Sequence, residues 1–476
     1  MRLPVNLSKR GRCRVLPVAV GCACGITSIA QAQCTEGCNA IHTFTGENVG
    51  DQFGWVSNSM GDLNNDGVQD CVISATTFVA TSATGKIYVY SGKTGTLMWS
   101  KSAEPGVQRL GYDVANAGDV TGDGINDVIA GAPFGSGPRA ILYDGTNGQF
   151  VHEIIGQVGY GLGYDVNGGG DYNGDGVNDL AIGAATDSTL ISNQGKVYIY
   201  SSGGFTQIDD LDGFAAGERF GSAAEFIGDI NGDGRDDLAV GAMGGTNAYV
   251  FSWDGTQSQL IRTLPANTPT SVYGQWFMNG GDVNGDGIND IYVADYAANR
   301  AHIFDGTNSN KLWTHMQIGG FGIGRIIDDI DGDGGADMIL CSWADSSGAP
   351  QGGKGYVYSG KTGAVLETFT HDVAGANFGF DANGMGDVNG DGMFDYLITA
   401  ASDSSSRGKA YIIAGNIGPA SCYADCDTSG TLNIFDYICF GNAYANQDPY
   451  ADCDGSGGLN IFDYICFGNA FAIGCP

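Results

Sequence analysis

The sequence predicts an all-β fold, a seven-bladed β-propeller whose N-terminal strand closes the last blade, followed by a small α-helical module. Two observations support this prediction. A nine-residue phrase, most complete at residues 282–290 (DVNGDGIND), occurs seven times with starts 47 to 58 residues apart. Between the copies lie short runs of β-branched and aromatic residues separated by Gly, Asp, Asn and Ser, which is typical of strands and hairpin turns.

Each repeat unit has the same order of segments, as the first unit illustrates. Phe53 and Gly54 open a segment that leads into the loop at residues 62–70, and an apolar run at 71–75 follows. After a polar turn come two further short runs, at 85–90 and 97–99. Four strands in about 50 residues is typical of a propeller blade. Since a blade cannot bury both of its faces alone, the units are expected to stack around an axis.

The two ends of the propeller region indicate how the ring closes. The seventh unit has its loop at residues 387–395 and its third strand at 409–414, and it then reaches Gly418 and Pro419 without a fourth strand. The missing strand is predicted at residues 41–46, which precede the first unit. Such an arrangement pairs the chain ends and removes two exposed sheet edges.

The repeated phrase has the composition of a calcium-binding loop. Oxygen-bearing side chains stand at positions one, three, five and nine, the sixth position is Gly, and the seventh supplies a backbone carbonyl. Oxygen ligands in a tight loop are those that Ca²⁺ prefers. The predicted metal ligands of the seven loops are Asp62, Asn64, Asp66, Val68, Asp70; Asp119, Thr121, Asp123, Ile125, Asp127; Asp171, Asn173, Asp175, Val177, Asp179; Asp229, Asn231, Asp233, Arg235, Asp237; Asp282, Asn284, Asp286, Ile288, Asp290; Asp329, Asp331, Asp333, Gly335, Asp337; and Asp387, Asn389, Asp391, Met393, Asp395.

The charge of the chain agrees with this interpretation and excludes some partners. The formal net charge is −32, and most of the acidic residues are Asp at the predicted ligand positions. A nucleic acid would be repelled, because the sequence contains no basic stripe to contact phosphates. For the same reason an anionic membrane surface is not an expected partner.

The N-terminus predicts export. Residues 1–32 contain five basic and no acidic side chains, an apolar run from Val15 to Ala30, and a small-x-small site at residues 30–32. These features are typical of a secretory signal peptide removed near Ala32. No later apolar stretch is long enough to span a membrane, so a secreted or cell-surface protein is expected. The predicted domains are a signal peptide (1–32), a linker (33–40), the propeller (41–416) and a C-terminal module (417–476).

The order of Phe-Gly, calcium loop and Gly-Ala-Pro resembles the FG-GAP repeat of integrin α-subunit propellers. The second unit keeps the full signature at Gly131 to Pro133, whereas other units drift, as at residues 183–185 and 241–243. The resemblance covers roughly residues 41–416 and implies a seven-bladed propeller that binds Ca²⁺. It also implies an adhesion or recognition role, because such propellers bind extracellular proteins and similar propellers in some lectins bind sugars.

The C-terminal module contains a second kind of repeat, at residues 425–436 and 452–463. Each copy carries oxygen ligands at positions one, three, five, nine and twelve, as an EF-hand loop does, and each leads into a short helix. The predicted ligands are Asp425, Asp427, Ser429, Thr431, Asn433, Asp436, Asp452, Asp454, Ser456, Gly458, Asn460 and Asp463. Up to seven Ca²⁺ are thus expected in the propeller and two in this paired EF-hand-like module.

Two loop-helix units near the end of an exported chain are similar to a type I dockerin. That resemblance implies docking to a cohesin-like partner through loop positions ten and eleven, here residues 434–435 and 461–462. These near-identical apolar pairs indicate either two equivalent docking faces or a small hydrophobic core. Six cysteines between Cys422 and Cys475 suggest disulfides, with a Cys422–Cys475 pair as one hypothesis, whereas Cys71 and Cys341 are predicted to be buried thiols.

The leading functional hypothesis is a secreted calcium-binding adhesion or recognition protein that binds a carbohydrate or an extracellular protein. The alternative is a calcium-dependent polysaccharide lyase or glycosidase with a propeller fold. None of the five histidines stands beside a nucleophile motif, so no enzyme is predicted. Six tryptophans are expected in the blade cores or stacked on sugar rings: Trp55, Trp99, Trp253, Trp276, Trp313 and Trp343.

Overall fold

The computed structural model of the chain describes residues 31–34, 40–78, 84–266, 272–275, 278–418, 434–447, 451, 453 and 459–473. Seven antiparallel sheets surround a common axis and form the predicted seven-bladed β-propeller. Two helices near the C-terminus form a separate small hydrophobic cluster.

The strands follow the repeat units of the sequence. Two strands precede the first blade: β1 (Gln31–Cys34) and β2 (Ala40–Thr45). Blade one contains β3 (Phe53–Gly61), β4 (Asp70–Ala75), β5 (Lys86–Tyr90) and β6 (Leu97–Ser102). Blade two contains β8 (Val114–Asn116), β9 (Val128–Ala132), β11 (Arg139–Tyr143) and β12 (Phe150–Ile155), with a small ribbon formed by β7 (Val107–Gln108) and β10 (Phe134–Gly135). Blade three contains β13 (Leu162–Gly170), β14 (Asp179–Ala184), β15 (Lys196–Ser201) and β16 (Thr206–Asp212).

The remaining blades have the same order. Blade four contains β17 (Phe220–Gly228), β18 (Asp237–Ala242), β19 (Asn247–Trp253) and β20 (Ser258–Pro265). Blade five contains β21 (Met278–Gly281), β22 (Asp290–Asp295), a 3₁₀ helix (Tyr296–Ala298), β23 (Arg300–Phe304) and β24 (Lys311–Met316). Blade six contains β25 (Phe321–Ile326), β26 (Met338–Ser342), β27 (Lys354–Tyr358) and β28 (Val365–His371). Blade seven contains β29 (Ala382–Gly386), β30 (Asp395–Ala400), α1 (Asp403–Ser406) and β31 (Lys409–Ile413); α2 (Ile434–Ala445) and α3 (Ile461–Ile473) follow.

The second strand of each blade explains how the blades stack. Every residue of β4, β14, β18, β22 and β30 is buried, because neighbouring blades cover both faces of these strands. Their sequences are correspondingly continuous apolar runs after an initial Asp rather than alternating ones. The hydrophobic clusters of the propeller lie between adjacent blades, so the core is divided around the ring.

The ring closes as predicted, through a strand from the N-terminal side. Strand β2 pairs antiparallel with β31, with Thr43 opposite Tyr411 and Phe44 opposite Ala410. Phe44 is 4% exposed, and its ring centroid lies 4.3 Å from that of Tyr90 in blade one. The closing strand therefore also contributes to the core between blades seven and one.

Strand β1 was not predicted by the sequence analysis. It pairs in parallel with β28 at the outer edge of blade six, with Gln31 opposite Thr368. An edge strand offers unpaired backbone groups that can accept a further strand, which is the physical reason for this pairing. Residues 1–30 lie outside the described residues, so the signal peptide remains a prediction.

Side chains on the innermost strands join successive blades near the axis. The Asp113 carboxylate accepts a hydrogen bond from the Val166 backbone N–H at 2.8 Å, and that of Asp381 accepts one from the Ser57 N–H at 2.7 Å. Burial raises the pKa of Asp113 to about 7, while the Arg325 guanidinium nearby acts in the opposite direction. These contacts tie the inner strands together at the junctions of blades two and three and of blades seven and one.

The closing strand provides a test of the ring. Replacing Phe44 by Ala is expected to lower the free energy of unfolding by about 3–5 kcal/mol, because it removes a buried aromatic side chain and leaves a cavity. Urea denaturation followed by fluorescence measures this change. The matched control is Phe150→Ala in β12, the fourth strand of blade two, where the side chain is 61% exposed. That control should change stability by less than about 0.5 kcal/mol, and equal effects of the two changes would contradict a core role for β2.

Candidate metal centres

The seven predicted loops all lie on one face of the propeller, between the first and second strands of each blade. Because the strands alternate in direction, the turns between third and fourth strands lie on the same face. The connections between second and third strands, and those between blades, lie on the opposite face. The propeller therefore has a loop face and an opposite face with different chemistry.

The first aspartate organises each loop. In blade five, Asp282 Oδ1 accepts hydrogen bonds from the backbone N–H groups of Gly285 and Asp286, and Oδ2 accepts one from Gly287. The bonds from positions five and six are present in all seven loops. Gly287 has a φ of 88°, a conformation that favours glycine. The loop conformation is thus fixed by its own side chains.

Side chains at the third and fifth positions also bond within the loop. Asn284 Oδ1 accepts from the Asp286 N–H at 2.9 Å, and Asp286 Oδ1 accepts from the Ile288 N–H at 2.9 Å. In blade six, where position three is Asp, one carboxylate oxygen from each of Asp329, Asp331 and Asp333 lies within 4.8 Å of the others. This convergence of hard oxygen donors fits a calcium ion.

The ninth position differs from the others, because its aspartate is buried in every blade. In each loop one of its oxygens accepts a hydrogen bond from the backbone N–H of position two, as Asp290 does from Val283 at 3.0 Å. In five blades the other oxygen accepts from the Gly N–H of the turn after the third strand, as from Gly306 at 3.0 Å. The sequence analysis predicts only that the ninth-position aspartate binds metal. In the structure its hydrogen bonds also hold the loop together.

The loops concentrate negative charge with little compensation. Burial raises the pKa of the ninth-position carboxyls, to about 6 for Asp290 and about 7 for Asp337, and neighbouring loop carboxylates raise it further. Few basic groups offset this charge: the Lys361 ammonium donates to the backbone carbonyl of Asp333 at 2.7 Å, whereas in loop four the Arg235 guanidinium lies 3.7 Å from the Asp233 carboxylate. A divalent cation would supply the missing positive charge, and the all-oxygen donor set suits one.

A further residue position in the loops was missed by the sequence analysis. In three loops the eighth residue bonds to the neighbouring blade. Asn126 Nδ2 donates to the Met60 carbonyl at 3.1 Å, and Asn289 Nδ2 donates to the Ile227 carbonyl at 2.8 Å. In blade four, the Asp236 carboxylate accepts from the Asp171 N–H at 2.8 Å. Asn, Asp or Gln occurs at the eighth position in five of the seven copies. This recurrence is the sequence pattern that could have indicated a role for the position.

Part of the C-terminal module is described. Asp436 and Asp463 are buried in the first turns of α2 and α3, and the Asn460 N–H donates to Asp463 at 2.7 Å. The other nine predicted ligands of these loops lie outside the described residues, as do Cys422 and Cys475. Cys453 and Cys466 form a disulfide, in agreement with the prediction that this region contains disulfides. Cys71 and Cys341 are buried free thiols, as predicted.

The structure distinguishes the two interpretations of the apolar pairs in this module. Ile434 and Phe435 are 65% and 63% exposed, and Ile461 and Phe462 are 64% and 63% exposed. The small core is formed instead by Phe440 and Phe467, which stack with ring centroids 4.2 Å apart. The apolar pairs are therefore surface features with nearly equal environments.

Tryptophans and histidines of the described blades are mainly structural. Trp99 and Trp313 donate from Nε1 to the carbonyls of Gly145 and Gly360, both at 2.7 Å, and so join adjacent blades. Burial lowers the pKa of His315 to about 4, which keeps this histidine neutral. Trp276 lies outside the described residues.

The opposite face presents aromatic and apolar side chains. Around the axis, the ring centroids of Trp55 and Phe380 lie 5.1 Å apart and those of Tyr112 and Tyr164 lie 5.0 Å apart. The exposed Phe134 packs edge-on against Tyr112. Further exposed apolar residues of blades two to four and the connections between them are Val158, Leu190, Ile191 and Phe214. We call Phe134 and these four residues the apolar arc.

In the described part of the chain, no helix has the length and apolar character needed to cross a membrane.

Comparison with known proteins agrees with this geometry. The FG-GAP repeat family matches residues 162–200 and 220–256, which hold most of blade three and most of blade four. The chain is 34% identical to integrin alpha-V of Gallus gallus over 218 residues, covering 41% of this chain and 21% of that protein. It is 33% identical to integrin alpha-PS2 of Drosophila melanogaster over 221 residues, covering 41% and 16%. The chain thus spans about a fifth of the length of the curated relatives it matches.

A solved structure extends the fold comparison to most of the chain. The crystal structure of BBS1N in complex with ARL6DN superposes with a TM-score of 0.53 at 8% identity, covering 80% of this chain and 98% of that chain. At this identity the likeness concerns the fold alone. Both relatives named above are integrin α-subunits, which is consistent with the prediction of a non-enzymatic protein. The chain therefore contains FG-GAP repeats at residues 162–200 and 220–256, is similar to integrin α-subunits over part of its length, and is folded as a seven-bladed β-propeller.

Proposed function

We propose that this chain is a secreted, calcium-binding adhesion or recognition protein whose propeller binds an extracellular protein or carbohydrate. The observation that carries the proposal is the division of the propeller into a loop face that holds the predicted metal ligands and an opposite face with exposed apolar side chains. Similarity to integrin α-subunits supports an adhesion role.

Calcium in the seven loops has a structural role in this proposal. Each ion would lie among the side chains at positions one, three, five and nine and the carbonyl at position seven, and would offset their mutual repulsion. Since the ninth-position aspartate joins the loop to a turn of the same blade, the ion would stabilise the blade. Binding to the folded state alone stabilises a protein by mass action, by about 2.7 kcal/mol for each site at a hundred times its dissociation constant.

Loop six provides the test of calcium binding. Asp333→Asn keeps the shape of the side chain and removes one charge from the converging triad. We expect the increase in unfolding free energy produced by saturating Ca²⁺ to be smaller than in the wild type by about 2–3 kcal/mol. Asp372→Asn, an exposed aspartate of the same unit outside the loop, is the matched control and should leave that increase unchanged. Equal calcium responses of the two variants would contradict the assignment.

The apolar arc favours a protein ligand on the opposite face. Leu190 and Phe214 are 70% and 53% exposed, although large apolar side chains are normally buried. Exposed apolar patches of this kind mark interaction sites on soluble proteins. Phe134 also packs edge-on against Tyr112, a buried ring, so this residue of the apolar arc rests on the aromatic core of the blades.

The C-terminal module is proposed to tether the propeller to a second partner. Its two exposed apolar pairs, with nearly equal exposure, are suited to alternative docking of one cohesin-like surface. The disulfide between Cys453 and Cys466 is consistent with an oxidising compartment and so with export.

Solid-phase binding to immobilised fibronectin, laminin, vitronectin and collagen tests the recognition face. We expect the full chain with Ca²⁺ to bind at least one of them, and the double variant Leu190→Ser, Phe214→Ser to bind at least tenfold more weakly. The control variant Leu97→Ser, Phe150→Ser changes residues of similar exposure on fourth strands at the blade edges. A loss of binding in the control but not in the double variant would contradict the assignment of this face, and failure to bind any of the four would contradict a matrix-protein ligand.

A further inference from the structure

A cavity lies on the propeller axis at the loop face. Its volume is about 660 Å³, within the range of small-molecule sites, and all seven blades contribute to its walls. Gln69, Asn126, Asn178 and Asp236 from the eighth loop positions line its rim. The cavity therefore opens among the metal loops, at the end of the axis remote from the apolar arc.

Most polar side chains that line the cavity are amides. Some of these amides form hydrogen bonds that hold the wall rigid. Asn279 donates to the Ile326 carbonyl at 2.8 Å and accepts from the Ile326 N–H at 3.0 Å, which joins blade five to blade six. Asn383 donates to the Ser57 carbonyl at 3.1 Å across the closure of the ring. These bonds fix the wall before any ligand arrives, which reduces the entropy cost of binding.

A second part of the lining has no protein partner. Among the described residues, the side chains of Asn58, Ser59, Gln69 and Asn178 make no hydrogen bond to another residue, although all four line the cavity. All four side chains are half-buried, so water can satisfy them until a ligand displaces it. These four side chains therefore remain available to a bound molecule.

Arg325 adds a charged group to the lining. Four carboxylates surround its guanidinium and attract it, those of Asp381, Glu225, Asp113 and Asp165, yet in the described part of the chain none lies within 4.0 Å. Its buried Nε atom has no hydrogen-bond acceptor. Arg325 can thus donate to a ligand oxygen while the surrounding acids keep the cavity from becoming positively charged.

The chemistry of the lining selects the class of ligand. An amide offers a donor and an acceptor in one side chain, which matches a hydroxyl group that both donates and accepts. Asp236 and Asp328 make the lining net negative beside one Arg, which disfavours phosphates and other anions. The ring of Phe226 adds an apolar surface to this wall.

A metal ion is less suited to this cavity than a hydroxylated molecule. Among the described residues, the group of three carboxylates with oxygens within 4.8 Å of one another is Asp329, Asp331 and Asp333 in loop six. The acids of the cavity do not converge in that way. We propose that the axial cavity binds a neutral, hydroxyl-rich ligand of the size of one or two sugar residues, held by Asn58, Gln69, Asn178 and Arg325.

Ligand-observed NMR and titration calorimetry on the full chain with Ca²⁺ test this proposal. The probes are glucose, galactose, mannose, maltose, cellobiose and lactose, with inorganic phosphate and glucuronate as anionic comparisons. We expect at least one neutral sugar to bind and both anions to bind more weakly. The double variant Gln69→Ala, Asn178→Ala should weaken sugar binding at least tenfold, since it removes two unpaired amides and no hydrogen bond within the described part of the protein.

Two further variants separate a failure of this proposal from a failure of the proposed function. Gln149→Ala removes an exposed amide from a turn on the same face outside the cavity and should leave sugar binding unchanged. The Leu190→Ser, Phe214→Ser variant, altered on the opposite face, should also bind sugar normally. Absence of binding by all six sugars, stronger binding of phosphate or glucuronate, or full retention of binding in the Gln69→Ala, Asn178→Ala variant would overturn the proposal.

Discussion

The propeller depends on one buried aspartate in each blade, the last residue of the acidic loop. It accepts a hydrogen bond from the start of its own loop in all seven blades, and in five of them it also holds the turn after the third strand. A buried carboxylate costs free energy unless its oxygens are bonded. These contacts satisfy that requirement and bring two distant turns of the blade together on one face, which is where the predicted metal ligands gather.

The loops are also joined to one another around the ring. The backbone N–H of Ala336 in loop six donates to the Asp282 carbonyl of loop five at 2.7 Å, and the N–H of Asp236 donates to the Asp171 carbonyl at 3.1 Å. With the side-chain bonds of Asn126 and Asn289, these contacts connect neighbouring loops. An ion that stabilises one loop therefore also acts on the position of the next. In the proposed function, recognition is assigned to the opposite face.

Much of the fold could be predicted from the sequence because the repeat is explicit. The seven loops gave the number of blades, and the missing fourth strand of the seventh unit gave the closure by residues 41–46, which the structure places at Ala40–Thr45. Strand β1 could not be predicted, because its four residues belong to no repeat. They pair with the outer edge of blade six. The hydrogen bond from the Gly306 N–H to Asp290 could not be predicted either, because the two residues lie 16 positions apart in the sequence.

The site was predictable only in part, for a physical reason. Loop ligands are close in sequence, so their spacing carries the information, whereas the axial cavity is assembled from all seven blades and no local pattern describes it. Asn58 and Arg325 belong to no sequence motif, and together with Asn178 they line one cavity only because the closed ring brings the blades together. The exposure of Ile434 and Phe435 likewise followed from helix packing and not from composition.

The central claim is that the acidic loops are cation sites that hold the ring together. Native mass spectrometry of the full chain, exchanged into a volatile buffer containing Ca²⁺ and compared with chelator-treated protein, counts the bound ions directly. The account predicts seven to nine Ca²⁺ per chain, one for each propeller loop and up to two for the C-terminal module. A count of two or fewer would mean that the propeller loops do not bind calcium and would contradict the account.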